Sequence, residues 1–149
     1  MDNKLEEELK SLNITYRFVR VKDARTVKSA SESLGVSEDR IAKTVIVIAD
    51  GKPYAVFIRG NKKVNLDSVK NFLKVKEVRM AKASEVKRLT GYEVGGVPPI
   101  IPDIETIMDE DLAIDENGVY CGGGDDKTLL YIIPKELKEK IGIRVFKND

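Results

Sequence analysis

Apolar residues in the first part of the chain recur at spacings that predict a helix, a strand and a second helix. Leu5, Leu9 and Leu12 fall at i, i+4 and i+7, the period of one face of an amphipathic helix. Residues 16–21 predict a strand. The segment Thr26–Gly35 predicts another helix, because threonine is a good N-cap and glycine commonly ends a helix.

A β-hairpin is the clearest local prediction in the middle of the chain. Two runs rich in β-branched residues, 43–49 and 54–59, flank the pair Asp50-Gly51, which favours a tight turn. Residues 45–48 are apolar at every position. We therefore expect both faces of this strand to be buried and the strand to be central in its sheet.

The remaining elements are predicted from shorter patterns and from residues that begin or end helices. In chain order they are a turn capped by Ser37, a helix capped by Asn65, a strand at 76–80, a helix capped by Ser84 and ended by Gly91, a loop to Pro102, strands at 104–108, 119–121 and 128–133, a helix from Pro134 to Ile141, and a strand at 143–146. We expect an α/β fold of a single domain, residues 1–149, with one mixed, mostly antiparallel, curved and barrel-like sheet flanked by helices.

Composition narrows the chemistry more than it narrows the fold. Hydrophobic residues make up 42% of the 149 residues, and the formal net charge is +1, so any RNA contact must rest on a local basic face. The chain has no histidine and one cysteine, Cys121, which excludes a Ser-His-Asp triad, a Cys-His pair, His-ligated zinc and an internal disulfide. Carboxylate-bound Mg²⁺ stays open on composition, but we predict no metal and no cofactor.

The sequence gives no indication of export or membrane insertion. Residues 1–12 are mixed and acidic, unlike a signal peptide, and the longest apolar runs are too short to span a bilayer. We expect a cytoplasmic protein without a membrane partner.

Lys43 is the first candidate for chemistry, because it lies where a short helical turn gives way to the buried strand. Such a lysine can extend its ammonium group to solvent. It can also point into a cleft as a fixed cation for a phosphate, a carboxylate or a carbonyl. Position alone favours the solvent-exposed alternative, since most charged residues beside strands are solvated.

The loop Gly91-Tyr92-Glu93-Val94-Gly95-Gly96-Val97-Pro98-Pro99 is the second candidate. Adjacent Gly95 and Gly96 permit backbone conformations closed to other residues and let a ligand come close. Pro98 and Pro99 then stiffen the exit of the loop. The loop can present backbone N–H groups to an oxyanion, or it can serve only as a rigid turn.

Two further segments have alternative interpretations. Gly122-Gly123-Gly124 is a second backbone-rich turn, but the Asp125-Asp126 pair after it makes a poor phosphate cradle, so a wide hairpin loop is favoured. Lys62-Lys63 and the lysines that follow can form a solvated face or the local basic face that RNA needs.

Taken in order, these segments resemble a known family. The string from Leu89-Thr90-Gly91-Tyr92 to Gly95-Gly96-Val97-Pro98-Pro99 is specific. It is accompanied by Ile41-Ala42-Lys43-Thr44, Gly60-Asn61-Lys62-Lys63, and Val119-Tyr120-Cys121-Gly122-Gly123-Gly124 followed by Thr128. In this order the motifs resemble the YbaK / prolyl-tRNA-synthetase-associated editing domain family over nearly the whole chain.

The resemblance implies an activity and a set of site residues. Family members hydrolyse the ester of wrongly charged tRNA: a lysine fixes the tRNA terminus, backbone amides hold the aminoacyl carbonyl, and water attacks with help from a ribose hydroxyl. The implied catalytic residues are Lys43, Gly95, Gly96, Val97 and Pro99. The implied substrate-binding residues are Thr44, Tyr92, Pro98, Gly122, Gly123, Gly124 and Thr128, and the implied RNA contacts are Lys62 and Lys63.

The absence of histidine agrees with this chemistry. An aminoacyl ester is already activated, so positioning and electrostatic stabilisation can suffice without a histidine base. The chain departs from the family at Pro98, where serine is common, and this proline removes one N–H from the loop. It also departs at Asp125 and Asp126, where the family has basic or neutral residues.

We therefore predict a free-standing trans-editing hydrolase that acts on the 3′ end of a mischarged aminoacyl-tRNA. A synthetase partner stays open, and no DNA partner is predicted. The alternative is a non-catalytic module that binds a tRNA terminus or an aminoacyl-nucleotide. A second alternative is an RNA-binding protein that acts through its lysines alone. The sequence does not identify the amino acid that is removed.

Overall fold

Within residues 3–149, which are the residues that the computed structural model describes, eight strands form two sheets. Met1 and Asp2 of the predicted domain lie outside the described residues. The strands are β1 (Tyr16–Arg20), β2 (Ala42–Ala49), β3 (Lys52–Arg59), β4 (Val78–Met80), β5 (Glu105–Asp109), β6 (Val119–Gly122), β7 (Thr128–Ile132) and β8 (Arg144–Phe146). The larger sheet has the order β4-β2-β3-β5-β8, and the smaller has the order β1-β7-β6.

The mixed, mostly antiparallel arrangement is confirmed, with β3–β5 and β5–β8 as the parallel pairs. The predicted hairpin is β2–β3, in which Ala49 pairs with Lys52 across a tight turn at Asp50-Gly51. The strands are divided between two sheets, whereas the sequence predicted one curved sheet. A parallel bridge between Ile41 and Tyr120 joins the two sheets beside the start of β2.

The helices begin and end largely where local residues predict. They are α1 (Asn3–Leu12), α2 (Val27–Leu34), α3 (Leu66–Leu73), α4 (Ala83–Thr90), α5 (Glu110–Ala113) and α6 (Pro134–Ile141). The Thr26 side chain accepts a hydrogen bond from the Ser29 amide at the start of α2, and Gly35 ends this helix in the left-handed conformation. Asn65 caps α3 in the same way, through the Ser68 amide.

Three local predictions need correction. The helix α4 does not begin at a Ser84 cap, because the Glu85 carboxylate accepts the Lys82 amide at 2.9 Å and starts the helix earlier. Ser37 precedes a short 3-10 turn, but its hydroxyl bonds to the Asp39 side chain and caps no amide. The single turn of α5 was not predicted, since four residues are too few to show a helical period.

Apolar side chains cover both faces of the larger sheet. On one face, Phe57 and Met108 pack with Leu9 of α1 and Leu130 of the smaller sheet. On the other face, Val47, Val56 and Ile58 pack against Val69 of α3, together with other residues of the same cluster. The expectation that β2 is central and buried on both faces is therefore confirmed. Across residues 3–149, every helix is too short or too polar to cross a membrane.

Candidate active site

A cavity of about 180 Å³ lies where four segments meet. Its walls come from the start of β2, the beginning of α2, the loop after α4, and the facing ends of β6 and β7. The predicted site residues that line it are Lys43, Thr44, Gly95, Val97 and Gly122. Residues 52 positions apart in the sequence, such as Lys43 and Gly95, therefore share one site.

The Lys43 side chain is half-buried and is held by the backbone. Its Nζ donates to the Gly60 carbonyl at 3.2 Å, at the far end of β3. Burial lowers the pKa of Lys43, and the positive charge of Lys63 lowers it further. Among residues 3–149 no carboxylate forms an ion pair with Lys43, so its charge is available to a ligand.

The neighbouring Thr44 presents a hydroxyl that is buried and unused. Within the described residues its Oγ1 has no hydrogen-bond partner. A buried hydroxyl without a partner costs free energy, about 1–3 kcal/mol for a typical group. Because Thr44 also lines the cavity, its hydroxyl is a candidate partner for a ligand.

Close contacts between backbones explain the glycines of the loop after α4. Gly95 has φ +94°, and a Cβ atom there would lie 2.3 Å from the Arg25 carbonyl oxygen. A Cβ atom at Gly122 would lie 2.2 Å from the Val97 carbonyl oxygen. The loop is therefore pressed between the residues before α2 and the end of β6, and side chains at these two positions would push the walls apart.

Hydrogen bonds decide which N–H groups of this loop are free. The Gly96 amide donates to the Glu93 carbonyl at 3.0 Å, and the Gly96 carbonyl accepts from the Gly124 amide at 2.9 Å. Gly96 is therefore removed from the set of donors that the sequence suggested. Within residues 3–149 the Gly95 and Val97 amides donate to no protein acceptor. These two amides, on residues that line the cavity, are therefore the candidate donors of the loop.

Pro98 and Pro99 anchor the loop and lie outside the cavity wall. Both are buried, and the Pro99 carbonyl accepts from the Thr106 hydroxyl at 2.8 Å. The missing N–H of Pro98 therefore removes no donor from the cavity. Although both were predicted as site residues from the sequence, neither lines this cavity.

A second cavity of about 340 Å³ adjoins the first across Gly95. Tyr92, Gly96 and Gly124 line it, together with Asp125 and Asp126. Burial raises the pKa of Asp125, but the hydrogen bond from the Lys127 amide and nearby positive charge outweigh this effect and hold the pKa below its ordinary value.

Thr128 and Gly123 lie behind the cavity walls. Thr128 is fully buried, and a Cβ atom at Gly123 would lie 2.8 Å from its carbonyl oxygen. This close approach explains the glycine. Neither residue lines either cavity.

The two lysines predicted to contact RNA differ in their surroundings. Lys62 forms ion pairs with Asp109 and Asp111, and the hydrogen bond that it donates to the Asp111 carboxylate is the main reason that its pKa is raised. Among the described residues Lys63 forms no ion pair, and its charge lies near enough to Lys43 to affect the pKa of that group. Lys63 is thus the better candidate for an RNA contact.

Lys62 belongs to a wider charged cluster, which is defined by the ion pairs that join its members. The charged cluster consists of Arg40, Arg59, Lys62, Asp109, Asp111 and Asp115. Asp115 is almost completely buried and accepts from both arginines. Across the part of the chain that the structure describes, the aspartates of this cluster and the other acidic and cysteine side chains form no group of three or more that could hold a metal ion.

Sequence reasoning missed Arg25 and Gly60. Arg25 lines both cavities, and its guanidinium makes two hydrogen bonds to Asp23, at 2.9 and 3.0 Å, which hold the pKa of that carboxylate well below its ordinary value. The Arg25 backbone is also the surface on which Gly95 packs. No pattern marked Arg25, and Gly60 stood in a quoted motif without a role, because the importance of both residues comes from contacts with segments distant in the sequence.

Comparison with known proteins agrees with this geometry. The model of the aminoacyl-tRNA editing domain family matches residues 21–140. The proline–tRNA ligase of Caldicellulosiruptor saccharolyticus is 34% identical over 126 residues, which are 85% of this chain and 21% of the ligase. Proline–tRNA ligase 1 of Bacillus cereus is 33% identical over 76% of this chain and 20% of its own length. The chain thus spans about a fifth of the length of these curated relatives.

Two solved structures match the chain along almost their full length. The hypothetical protein APE2540 superposes with a TM-score of 0.90 at 44% identity, covering 96% of this chain and 97% of that one. A protein provisionally described as a trans-editing enzyme for prolyl tRNA synthetase has a TM-score of 0.83 at 26% identity, with coverage of 98% and 96%. By fold, motifs and family match, this chain belongs to the YbaK-type aminoacyl-tRNA editing domain family.

Proposed function

We propose that this protein is a single editing domain that hydrolyses the ester of a mischarged aminoacyl-tRNA and acts in trans. The observation that carries the proposal is the meeting of three groups at one cavity: the Lys43 ammonium, which has no carboxylate partner among the described residues, and the Gly95 and Val97 amides, which have no protein acceptor there. Water attack on an ester places negative charge on the carbonyl oxygen. Fixed N–H donors stabilise that charge, and removing one such donor typically costs about a hundredfold to a thousandfold in rate.

The proposed roles combine the positions of these groups with the mechanism that the family resemblance implies. The Gly95 and Val97 amides polarise the ester carbonyl, and Lys43 holds the terminal nucleotide through its phosphate. Water adds to the carbonyl carbon, and the bond from that carbon to the ribose oxygen breaks. The ribose oxygen takes a proton, so the products are a free amino acid and a tRNA with a free 3′ end. A ribose hydroxyl of the tRNA positions the water in this scheme.

The lining of the cavity favours this scheme over covalent catalysis. Cys121 is the one thiol near the cavity, and it is fully buried and donates to the Leu130 carbonyl. Burial raises the pKa of Cys121 far above its ordinary value, so little thiolate forms. With no histidine in the chain, the imidazole base that commonly activates a serine or cysteine nucleophile is absent.

The walls of the cavity favour an uncharged amino-acid side chain. Most of the lining away from Lys43 is apolar and comes from Ala24, Val27, Ala30, Ile41 and Leu129. A charged side chain placed against these walls would lose its hydration without a partner. The proposed substrate is therefore a tRNA esterified with an uncharged residue that fits within the cavity.

Partner and location follow from the substrate. The partner is the 3′ end of an aminoacyl-tRNA, and the ligase relatives make a prolyl-tRNA synthetase the first partner to test. The reaction belongs to translation, and so to the cytoplasm that the sequence suggested.

A panel of mischarged tRNAs tests the proposal. Each tRNA is given to the wild-type protein, and two quantities are followed: amino acid released and tRNA bound. We expect release from tRNAs that carry an uncharged amino acid and no release from tRNAs that carry aspartate or lysine.

The alternatives predict different results. A non-catalytic module would bind the charged tRNA and release nothing. A protein that binds through its lysines alone would bind charged and uncharged tRNA equally, with an affinity that falls steeply as salt is raised. Either result would overturn the proposal.

A further inference from the structure

The turn that leaves β3 holds the Lys43 side chain in place. Gly60 lies in this turn, and its carbonyl accepts from Lys43 Nζ at 3.2 Å while its amide donates to the Ile41 carbonyl at 2.6 Å. The turn is closed by a bond from the Lys62 amide to the Arg59 carbonyl at 3.1 Å. The position of the Gly60 carbonyl therefore sets the position of the ammonium.

Gly60 is packed too tightly to carry a side chain. A Cβ atom there would lie 2.6 Å from Cγ1 of Val27 and 3.0 Å from the Ile41 carbonyl oxygen. Val27 and Ile41 both line the cavity. The turn thus contacts the lysine and two walls of the cavity at the same residue.

Asp109 ties this turn to the rest of the fold. It lies at the end of β5 with 2% of its side chain exposed, and its Oδ2 accepts from Lys62 Nζ at 3.3 Å. Its Oδ1 accepts from the Asn148 amide at 3.2 Å, and the Asn148 side chain donates to the Lys63 carbonyl at 2.9 Å. Asp111 forms a second ion pair with Lys62. The residues on the C-terminal side of Gly60 are therefore fixed by carboxylates from elsewhere in the chain.

We infer that Lys62 and Asp109 are positioning residues, which hold the Gly60 carbonyl where it aims the Lys43 ammonium into the cavity. The inference rests on the proposed role of Lys43. A lysine has a flexible four-carbon stem, so it gives a precise cation only when its end is held. Two carboxylates already neutralise Lys62, which makes it a weaker partner for RNA phosphates than an unpaired lysine.

Two neighbouring lysines give a test in which the same charge is removed at two places. The positive charge of Lys63 lowers the pKa of Lys43. Lys63→Met removes that charge and should therefore raise the pKa of Lys43. Lys62→Met also removes a positive charge, yet it frees the turn and takes the carbonyl acceptor from the ammonium. We expect the Lys43 pKa to fall in Lys62→Met and to rise in Lys63→Met.

The measurement is the pH titration of the ¹³Cε resonance of Lys43, assigned by its loss in Lys43→Arg. It needs no tRNA, so a wild-type protein that deacylates nothing would defeat the proposed function and leave this inference testable.

Deacylation kinetics are the second measurement. We expect kcat of Lys62→Met to fall about tenfold with KM little changed, as for a misplaced catalytic group. Lys62→Arg, which keeps both ion pairs, should restore the wild-type pKa and kcat.

The outcomes separate positioning from direct contact. A raised Lys43 pKa with wild-type kcat in Lys62→Met would overturn the inference. A higher KM with unchanged kcat and a smaller salt dependence would also overturn it, since these changes mark a lysine that contacts the tRNA. Should Lys62→Met not fold, Asp109→Asn replaces it, because the amide keeps an acceptor for Asn148. Its kcat should fall with KM little changed, and a wild-type kcat would contradict the inference.

Discussion

The cavity adjoins the start of β2, the charged cluster adjoins the end of β3, and the two use polar residues in opposite ways. At the cavity, Lys43 has no carboxylate partner among residues 3–149, and the hydroxyl of Thr44 is buried without a hydrogen bond. In the charged cluster each charged side chain is paired with an opposite charge. A polar group without a partner is costly to the fold, whereas removing one member of a buried ion pair is costly because it leaves the other charge unpaired. Substitutions at Lys43 and at Asp115 should therefore have opposite signatures.

The largest effect is expected in the charged cluster and on stability. Asp115→Ala leaves the Arg40 and Arg59 guanidinium groups without their shared carboxylate, and breaking a buried pair of this kind costs about 3 kcal/mol. Urea unfolding measures the loss, and deacylation at low temperature measures the activity of the folded fraction. We expect that activity to be close to the wild-type value. If Asp115→Ala had unchanged stability and a large loss of deacylation rate, Asp115 would behave as we expect for Lys43, and the comparison would be wrong.

Lys43→Met should have the opposite signature. We expect kcat/KM for deacylation to fall about a hundredfold, the usual size for a lost electrostatic contact to the reacting group. Stability should be unchanged or higher. The pKa of Lys43 is lower in the folded protein than in the unfolded chain, so the unfolded chain binds more protons at pH values between the two. The charged Lys43 therefore lowers the free energy of unfolding at pH values below its folded pKa. This loss of stability disappears as the pH rises from the folded pKa to the unfolded pKa.

The control for this variant is Lys52→Met, an exposed lysine in the same hairpin and outside the cavity. Its rate and stability should both resemble those of the wild type. If Lys43→Met kept the wild-type rate, the site would lie elsewhere.

Gly95 and Gly51 both have a positive φ, so their alanine variants separate the effect of backbone strain from the effect of moving the loop at the cavity. Gly95→Ala combines a positive φ with a clash against the Arg25 carbonyl oxygen, and Gly51→Ala has a positive φ with no atom near its Cβ. Both should lose about 1 kcal/mol or more of stability from the backbone conformation alone. Gly95→Ala should in addition lose about tenfold in deacylation rate, because the donors move. Equal rates for the two variants would show that the loop does not hold the carbonyl.

Two threonines give the smallest predicted effect. Thr44→Val removes a buried hydroxyl that has no partner, so stability should be unchanged or rise by up to about 1 kcal/mol, while the rate falls severalfold. Thr106→Val removes a hydroxyl that donates to the Pro99 carbonyl, so stability should fall by about 1 kcal/mol. Thermal unfolding and deacylation of both variants measure this difference. A loss of stability in Thr44→Val would mean that its hydroxyl is satisfied within the fold.

Sequence predicted the elements whose boundaries depend on neighbouring residues. Thr26 and Gly35 bound α2 because an N-cap and a left-handed glycine act within one turn. The hairpin at Asp50-Gly51 follows from the same kind of local preference. The division into two sheets was missed, since strand pairing such as Ile41 with Tyr120 depends on residues far apart in the chain.

The sequence named several residues that line the cavity, but it did not show which of their polar groups already have partners. Lys43 and Gly95 were both chosen, and both line the cavity. The hydrogen bond of the Gly96 amide to Glu93 and the ion pairs of Lys62 could not be seen, because a motif gives residue types and not the partners that occupy their polar groups. Gly60 was part of a quoted motif, but its contact with Lys43 depends on the hairpin pairing.

The most direct test of the account is to observe the loop amides while a substrate analogue binds. The analogue is adenosine that carries an uncharged amino acid through a 3′-amide, which cannot be hydrolysed as an ester is, and the measurement is the ¹H–¹⁵N NMR spectrum of the protein. We predict that the Gly95 and Val97 amide protons shift downfield as they bond the carbonyl oxygen, while the Gly96 amide, already bonded to Glu93, changes little. Saturable binding that leaves the Gly95 and Val97 amides unmoved would contradict the claim that this loop holds the aminoacyl carbonyl.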